Sequence, residues 1–172
     1  MQLLIVRHAR AEDRDTFAQT EQADAQRPLT RKGIRKMKCA ASGLRLLVSS
    51  IDLLVSSSLR RAIQTARILA DTYGDIPMIE RDELAPGGNH RSLIDWLATQ
   101  PHSAMICLVG HEPDLSDLLK MILTDPSEQP AKLKKGSATL VQFEGPVTAG
   151  TGKLQWHRPA GDLAAGQEQS PR

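Results

Sequence analysis

Three short aliphatic runs, LLIV at 3–6, IDLLVSS at 51–57 and MICLVG at 105–110, each lead into a stretch of helical periodicity. This alternation restricts the fold more than any other feature of the chain. An extended segment with apolar side chains at successive positions needs cover on both faces, as in a parallel sheet held between layers of helices. The helices read one by one. Thr30 stands at an N-cap position after Pro28-Leu29, and Ile34, Met37, Ala41 and Leu44 recur at helical spacing, while Arg31, Lys32, Arg35, Lys36 and Lys38 lie mostly elsewhere. The stretch LRRAIQTARILADTYG, 59–74, puts Ala62, Ala66, Leu69 and Ala70 or Tyr73 on one side and ends at Gly74, a natural C′ residue. Pro113 sits where a first-turn proline belongs, ahead of the apolar stripe Leu115, Leu118, Leu119 and Ile122, which Asp125-Pro126 closes.

Between these units, IPMIERDEL predicts a short strand near 77–81 and RSLIDWLATQ a helix near 91–100, and SATLVQFEG with GKLQWHR predicts a late antiparallel hairpin. At 172 residues, two separate cores would each be near the lower size limit. The expected fold is therefore a single α/β domain, a three-layer α/β/α sandwich with a mostly parallel central sheet and an antiparallel edge. It spans 1–158, followed by a small, polar and flexible tail at 159–172.

The aromatic residues, Phe17, Tyr73, Trp96, Phe143 and Trp156, are too scattered to form base-stacking platforms, and a net charge of +2 is far from the basic stripe of a nucleic-acid protein. A phosphate-sized anion fits that balance better than a polymer. Cys39 and Cys107 form no CxxC or paired framework and read as packing residues. The first apolar run is too short for a signal peptide or a membrane span, so the expectation is a cytoplasmic protein without a membrane partner. No HxH or HExxH pattern occurs, so neither a metal nor another cofactor is expected.

Ligands of open α/β sheets collect beyond the carboxyl ends of the strands. Here those ends deliver Arg7-His8, then Ser56-Ser57-Ser58 with Arg60-Arg61 just inside a helix, then Gly110-His111. Phosphoryl transfer suits such a set, because it needs an in-line nucleophile and neutralisation of three equatorial oxygens, which a guanidinium fork supplies. A histidine flanked by guanidinium groups has its imidazolium disfavoured and keeps a lone pair for attack on phosphorus, a role open to His8. His111 can donate an N–H to the oxygen that gains charge.

The segments VRHA at 6–9, SSLRRAIQTA at 57–66 and VGHEP at 109–113 resemble the three signatures of the histidine phosphatase superfamily, the middle one matching S-x-L-x-R-A-x-x-T-A in full. The likeness spans about 1–125 and implies a phosphoglycerate mutase-like fold. It further implies His8 as the phosphorylated nucleophile, Arg7 and Arg61 as phosphoryl ligands, and His111 as the second pocket histidine. Arg60 falls on a variable position. Within the superfamily, RHARAED at 7–13, RPLTRKG at 27–33 and ELAPGGN at 83–89 most resemble SixA-type phosphohistidine phosphatases, which remove phosphate from a histidine of a signalling or phosphorelay protein. Ala9, where many members carry glycine, narrows the pocket floor at most.

Phosphohistidine expels an imidazole, a far better leaving group than an alkoxide, and needs less general-acid help. Glu83 is the one carboxylate where the superfamily's acid could sit, and it is left unassigned. Ser57 can donate to phosphate or cap the helix near Leu59, capping being favoured. Lone His90, His102 and His157 read as surface or loop residues, Gly87-Gly88 as a turn, and the charge run RKGIRKMK with Lys132, Lys134 and Lys135 as a solvated face before a docking surface. The sequence thus predicts a metal-independent phosphatase acting on a phosphohistidine-bearing protein. The alternatives are a phosphatase or mutase for a small phosphate ester, and a non-catalytic module that binds phosphoproteins.

Overall fold

The computed structural model describes residues 1–74 and 76–166. Six strands, β1 (Gln2–Arg7), β2 (Leu53–Ser56), β3 (Met78–Glu80), β4 (Met105–Gly110), β5 (Ala138–Gln142) and β6 (Lys153–Arg158), form one sheet in the order β3-β2-β4-β1-β5-β6. β3, β2, β4 and β1 run parallel, and β5 and β6 add an antiparallel edge.

The aliphatic runs are continuous because neighbouring residues serve opposite faces. In β1, Leu4 and Val6 enter one core cluster and Leu3 and Ile5 the other; in β4, Cys107 and Val109 oppose Ile106 and Leu108. All eight are fully buried or within 1% of it, and each large side chain contributes about 1.5–3 kcal/mol by leaving water. The first face is covered by α2 (Arg31–Leu47) and α3 (Arg60–Tyr73), through Met37, Ala41 and Leu44 of α2 and Ala62, Ala66 and Leu69 of α3. The second is covered by α4 (His90–Ala98) and α5 (Asp114–Ile122).

The expected termini are largely present. Thr30 caps α2 by accepting from the Gly33 N–H, and Gly74 ends α3 in the left-handed region at φ 94°. Pro113 is the residue just before α5 rather than its first turn. The α4 helix starts at His90, with Asn89 accepting from the Arg91 and Ser92 N–H groups, and ends at Ala98.

Two helices were not foreseen. α1 (Arg14–Ala18), capped by Asp13, is five residues long and buries Phe17, too short to show a period. α6 (Ala160–Ala165) corrects the flexible tail for those residues: Leu163 is 2% exposed and packs into the cluster beneath α2, and residues 167–172 of that expected tail lie outside the described residues. A segment of alanine and glycine carries too little apolar pattern to announce such docking. Close approach requires Gly43, since a Cβ there would lie 1.7 Å from the Leu163 carbonyl oxygen. Gly43→Ala should therefore lower unfolding stability by about 1–3 kcal/mol and raise hydrogen exchange in 160–165 above that of the sheet. Cys39 is a further correction, being exposed on α2, whereas Cys107 is buried as expected.

Candidate active site

Strand register brings the three signature segments to one edge. Arg7 pairs with Gly110 across β1 and β4, and Ser56 with Val109 across β2 and β4. The ladder continues one step, with the His8 N–H donating to the Gly110 carbonyl at 3.0 Å and the Ser57 N–H to Val109 at 2.9 Å. Three strand ends are thus level, and Arg7, His8, Arg61 and His111 all line one cavity of about 770 Å³.

His8 is 6% exposed and its Nδ1 lies 2.7 Å from the Ala9 carbonyl oxygen. A carbonyl accepts only, so this contact places the proton on Nδ1 and leaves the lone pair on Nε2. The His111 ring stands 4.9 Å away, tilted by 52°, with its Nε2 2.9 Å from Ser57 Oγ. Both rings are held neutral. Burial is the main cause, and the charges of His111, Arg61 and Arg7 add to it for His8, whose pKa falls to about 3. For His111 burial again leads, Arg61 and Arg7 add to it, Asp114 partly opposes it, and the value is about 4.

The consequence for stability has a definite sign. Unfolded histidines bind protons from about pH 6.5 downward, whereas these two stay unprotonated in the folded state until about pH 4 and 3. Stability conferred by the pair is complete above pH 7 and falls as the pH drops, by about 2 kcal/mol per histidine at pH 5. Urea denaturation at pH 7.5 and 5.0 should show the His8→Asn/His111→Asn variant losing about 4 kcal/mol less than the wild type over that interval.

The arginines are braced from outside the cavity. Arg7 donates from one terminal nitrogen to the Leu133 carbonyl at 2.7 Å, and Arg61 donates to the Asp24 carbonyl at 3.0 Å and pairs with its carboxylate at 3.2 Å. The Nε of each is buried without a partner among the described residues, an arrangement that costs free energy unless an acceptor arrives. Thr65 joins two of the segments: its hydroxyl accepts from the Ala9 N–H at 3.0 Å and donates to the Arg61 carbonyl at 2.7 Å. It stands at the T of the middle signature, so its position was legible while its partners were not.

Other residues take places that the sequence did not assign to them. Asp24 sits between Arg61 and Arg27, and Arg27, 7% exposed, also holds the Glu12 carbonyl at 2.7 Å. Lys135 enters the cavity from the segment before β5; burial, then Arg7 and Arg27, lower its pKa. Ser57 Oγ accepts from the N–H of Leu59, the cap residue of α3, at 3.3 Å, which keeps part of the capping reading, and it also lies 2.9 Å from His111 Nε2. Arg60 is exposed and reaches the Gln26 carbonyl, away from the cavity lining.

Glu83 does not line the cavity. It is bound by Arg81 Nε at 3.2 Å, and that hydrogen bond holds its carboxyl below the usual range, the reverse of what a proton donor needs. The carboxylates on the cavity wall are Glu12, Asp13, Glu112 and Asp114. Three of these accept backbone N–H groups: Asp13 from Thr16, Glu112 from Leu133, and Asp114 from Gly87. Ala9 is not on the cavity floor; its methyl faces the first core cluster. His102 is exposed, His157 is bonded to Thr139 on the sheet edge at 2.9 Å, and His90 lies 4.0 Å from Asp114. Among the described residues no three His, Cys, Asp or Glu side chains converge as a metal would require, and no helix is long and apolar enough to cross a membrane.

Comparison with known proteins agrees with this geometry. A family model of the histidine phosphatase superfamily (branch 1) matches residues 3–86, the part that holds Arg7, His8, Ser57, Arg61 and Thr65. An uncharacterized protein of Picosynechococcus sp. is 36% identical over 138 residues, 78% of this chain and 81% of its own. The structure of the protein histidine phosphatase SixA complexed with tungstate has a TM-score of 0.80 at 24% identity, covering 95% of this chain and 99% of that one. Phosphoserine phosphatase from Entamoeba histolytica in complex with 3-phosphoglyceric acid has a TM-score of 0.66 at 16% identity, covering 94% and 98%. These two structural likenesses establish the phosphoglycerate mutase-like α/β fold. With three signature segments meeting at one sheet edge and a relative of this identity and extent, the chain belongs to the histidine phosphatase superfamily.

Proposed function

We propose that the protein is a phosphatase that hydrolyses phosphohistidine on a cytoplasmic signalling or phosphorelay protein, by way of a phosphate carried on His8. The observation that carries this reading is the fixed tautomer of His8, whose Nδ1 is engaged by the Ala9 carbonyl and whose ring lines one cavity with Arg7, Arg61 and His111. In the first step Nε2 attacks phosphorus, the P–N bond to the substrate ring, protonated on its distal nitrogen, breaks to release neutral imidazole, and Arg7 and Arg61 neutralise the equatorial oxygens. Arrival of the anion raises the proton affinity of His111, which then donates to an oxygen from 4.9 Å beyond the nucleophile ring. In the second step water attacks phosphorus, the P–N bond to His8 breaks, and inorganic phosphate leaves.

The carboxylates support this substrate class. Three of the four on the wall are engaged by backbone N–H groups, and Glu83 is tied to Arg81 outside the cavity. Phosphohistidine protonated on its distal ring nitrogen expels neutral imidazole and needs less general-acid help than an ester that expels an alkoxide, which fits a wall whose carboxylates are largely engaged by the backbone. The SixA protein of this fold was solved with tungstate, an oxyanion like phosphate.

The test is phosphate release, in EDTA, from a chemically phosphorylated histidine-containing phosphotransfer domain and from p-nitrophenyl phosphate. Rapid release from the domain with a feeble ester reaction is expected. The opposite preference would establish a small-ester enzyme, and release from neither would leave a phosphoprotein-binding module.

A further inference from the structure

Resting on the reading of a phosphohistidine-bearing protein as substrate, we infer that a basic groove beside the active site, between α2, α6 and the segment before β5, docks an acidic segment of that protein flanking the phosphohistidine. The groove has a volume of about 910 Å³ and shares two of its walls, Arg10 and Lys135, with the catalytic cavity. A chain whose phosphohistidine reaches His8 therefore passes directly onto it.

Charge identifies the occupant. Arg35 and Lys36 come from one side, Lys134 and Lys135 from the other, and Arg10 stands at the junction; all five are exposed, and none makes an ion pair among the described residues. Asp162 is the single carboxylate on the lining. About a hundred residues of sequence separate the two basic pairs, so their meeting is a property of the fold and not of a local charge run. Two lysines outside the groove are neutralised, Lys120 by Asp117 and Lys153 by Glu144; the groove instead gathers five cations around one carboxylate. Unneutralised like charges facing one another destabilise the free protein and are relieved by an anionic partner.

Shape favours a polypeptide over a lone anion. The floor is made of small or apolar groups, Ala9, Met37, Gly136 and Ala160 among them, which suits a peptide backbone and its aliphatic carbons between charged flanks. Gly136, at φ 76°, would place a Cβ 3.2 Å from that of Ala160. Its N–H donates to the Arg7 carbonyl at 3.0 Å, so the groove wall is anchored to the strand that carries the nucleophile.

Two fluorescein-labelled peptides with one histidine, flanked by four glutamates or by four glutamines, provide the probe. Binding is read by anisotropy at 50 mM salt on the wild type, on Arg35→Glu/Lys36→Glu and on Lys134→Glu, with unphosphorylated peptides so that it does not depend on turnover. Release from free phosphohistidine is measured beside it. The expected result is at least a tenfold preference of the wild type for the acidic peptide, weakened by salt and lost in both variants, with free phosphohistidine turned over equally by all three proteins. For the phosphorylated acidic peptide, KM rises at least tenfold in both variants at constant kcat. Equal binding of the two peptides, or a preference that survives both charge reversals, would overturn the docking proposal. So would association with phosphatidylserine vesicles in place of any peptide preference. Absence of His8-dependent release from free phosphohistidine would instead defeat the catalytic reading, which the binding arm does not share.

Discussion

His8→Ala is expected to lower kcat for phosphohistidine hydrolysis by on the order of 10⁴-fold or more, and to abolish covalent labelling of the enzyme. Rapid acid-free quenching of the wild type with a ³²P-labelled substrate domain should trap phosphate that is stable in base, labile in acid and located on the peptide containing His8. The size of the effect follows from the geometry. Alanine removes the one Nε2 that the Ala9 contact holds as a lone pair facing the cavity. His111 does not replace it, because its own Nε2 is engaged with Ser57 Oγ at 2.9 Å. Removal of the His8 ring should leave the fold intact or slightly more stable near pH 5, since it deletes a group that unfolding allows to ionise. Labelling that persists in the variant, or a rate within tenfold of the wild type, would rule out His8 as the nucleophile.

Arg61→Ala is expected to reduce kcat/KM by about 10³-fold, with vanadate or inorganic phosphate inhibition weakened in parallel. Arg61 is 2% exposed, and two contacts to Asp24 hold its head group in one orientation at the cavity wall. Lysine should restore little, because a point charge reproduces neither the Asp24 contacts nor a fork aimed at two oxygens. Arg60→Ala, one residue earlier on the same helix but exposed and directed to Gln26, should change kcat/KM less than twofold. Equal losses at the two positions would mean that general positive charge, not placement, is what the cavity supplies. Inhibition constants for vanadate across the three variants decide between these outcomes.

What could be read in the sequence was whatever depends on period and on strong local signals. The two-sided burial of β1, β2 and β4 is written in their unbroken aliphatic runs, and the ends of α2 and α3 in Thr30 and Gly74, because capping is local chemistry. Arg7, His8, Arg61 and His111 were legible for a similar reason: each stands at a strand end or in the first turn of the helix that follows one, and the strand ends of a parallel sheet face one way. The short helices α1 and α6 were not, since five or six residues show no period and their burial depends on a groove made by other segments. Nor were the roles of Glu83 and Ser57, which turn on whether Arg81 or His111 stands nearby.

The chain by itself therefore determined the architecture, the identity of the four central residues and the superfamily they point to, because these rest on spacing and on covalent order. Only the tertiary structure decided the rest: the neutral tautomer of His8, the bracing of Arg61 by Asp24, the removal of Glu83 from the cavity, and the meeting of Arg35 and Lys36 with Lys134 and Lys135. Each of these is an electrostatic or hydrogen-bond relation over a few ångströms between residues far apart in sequence, and such distances exist only once the sheet has set the register of its strands.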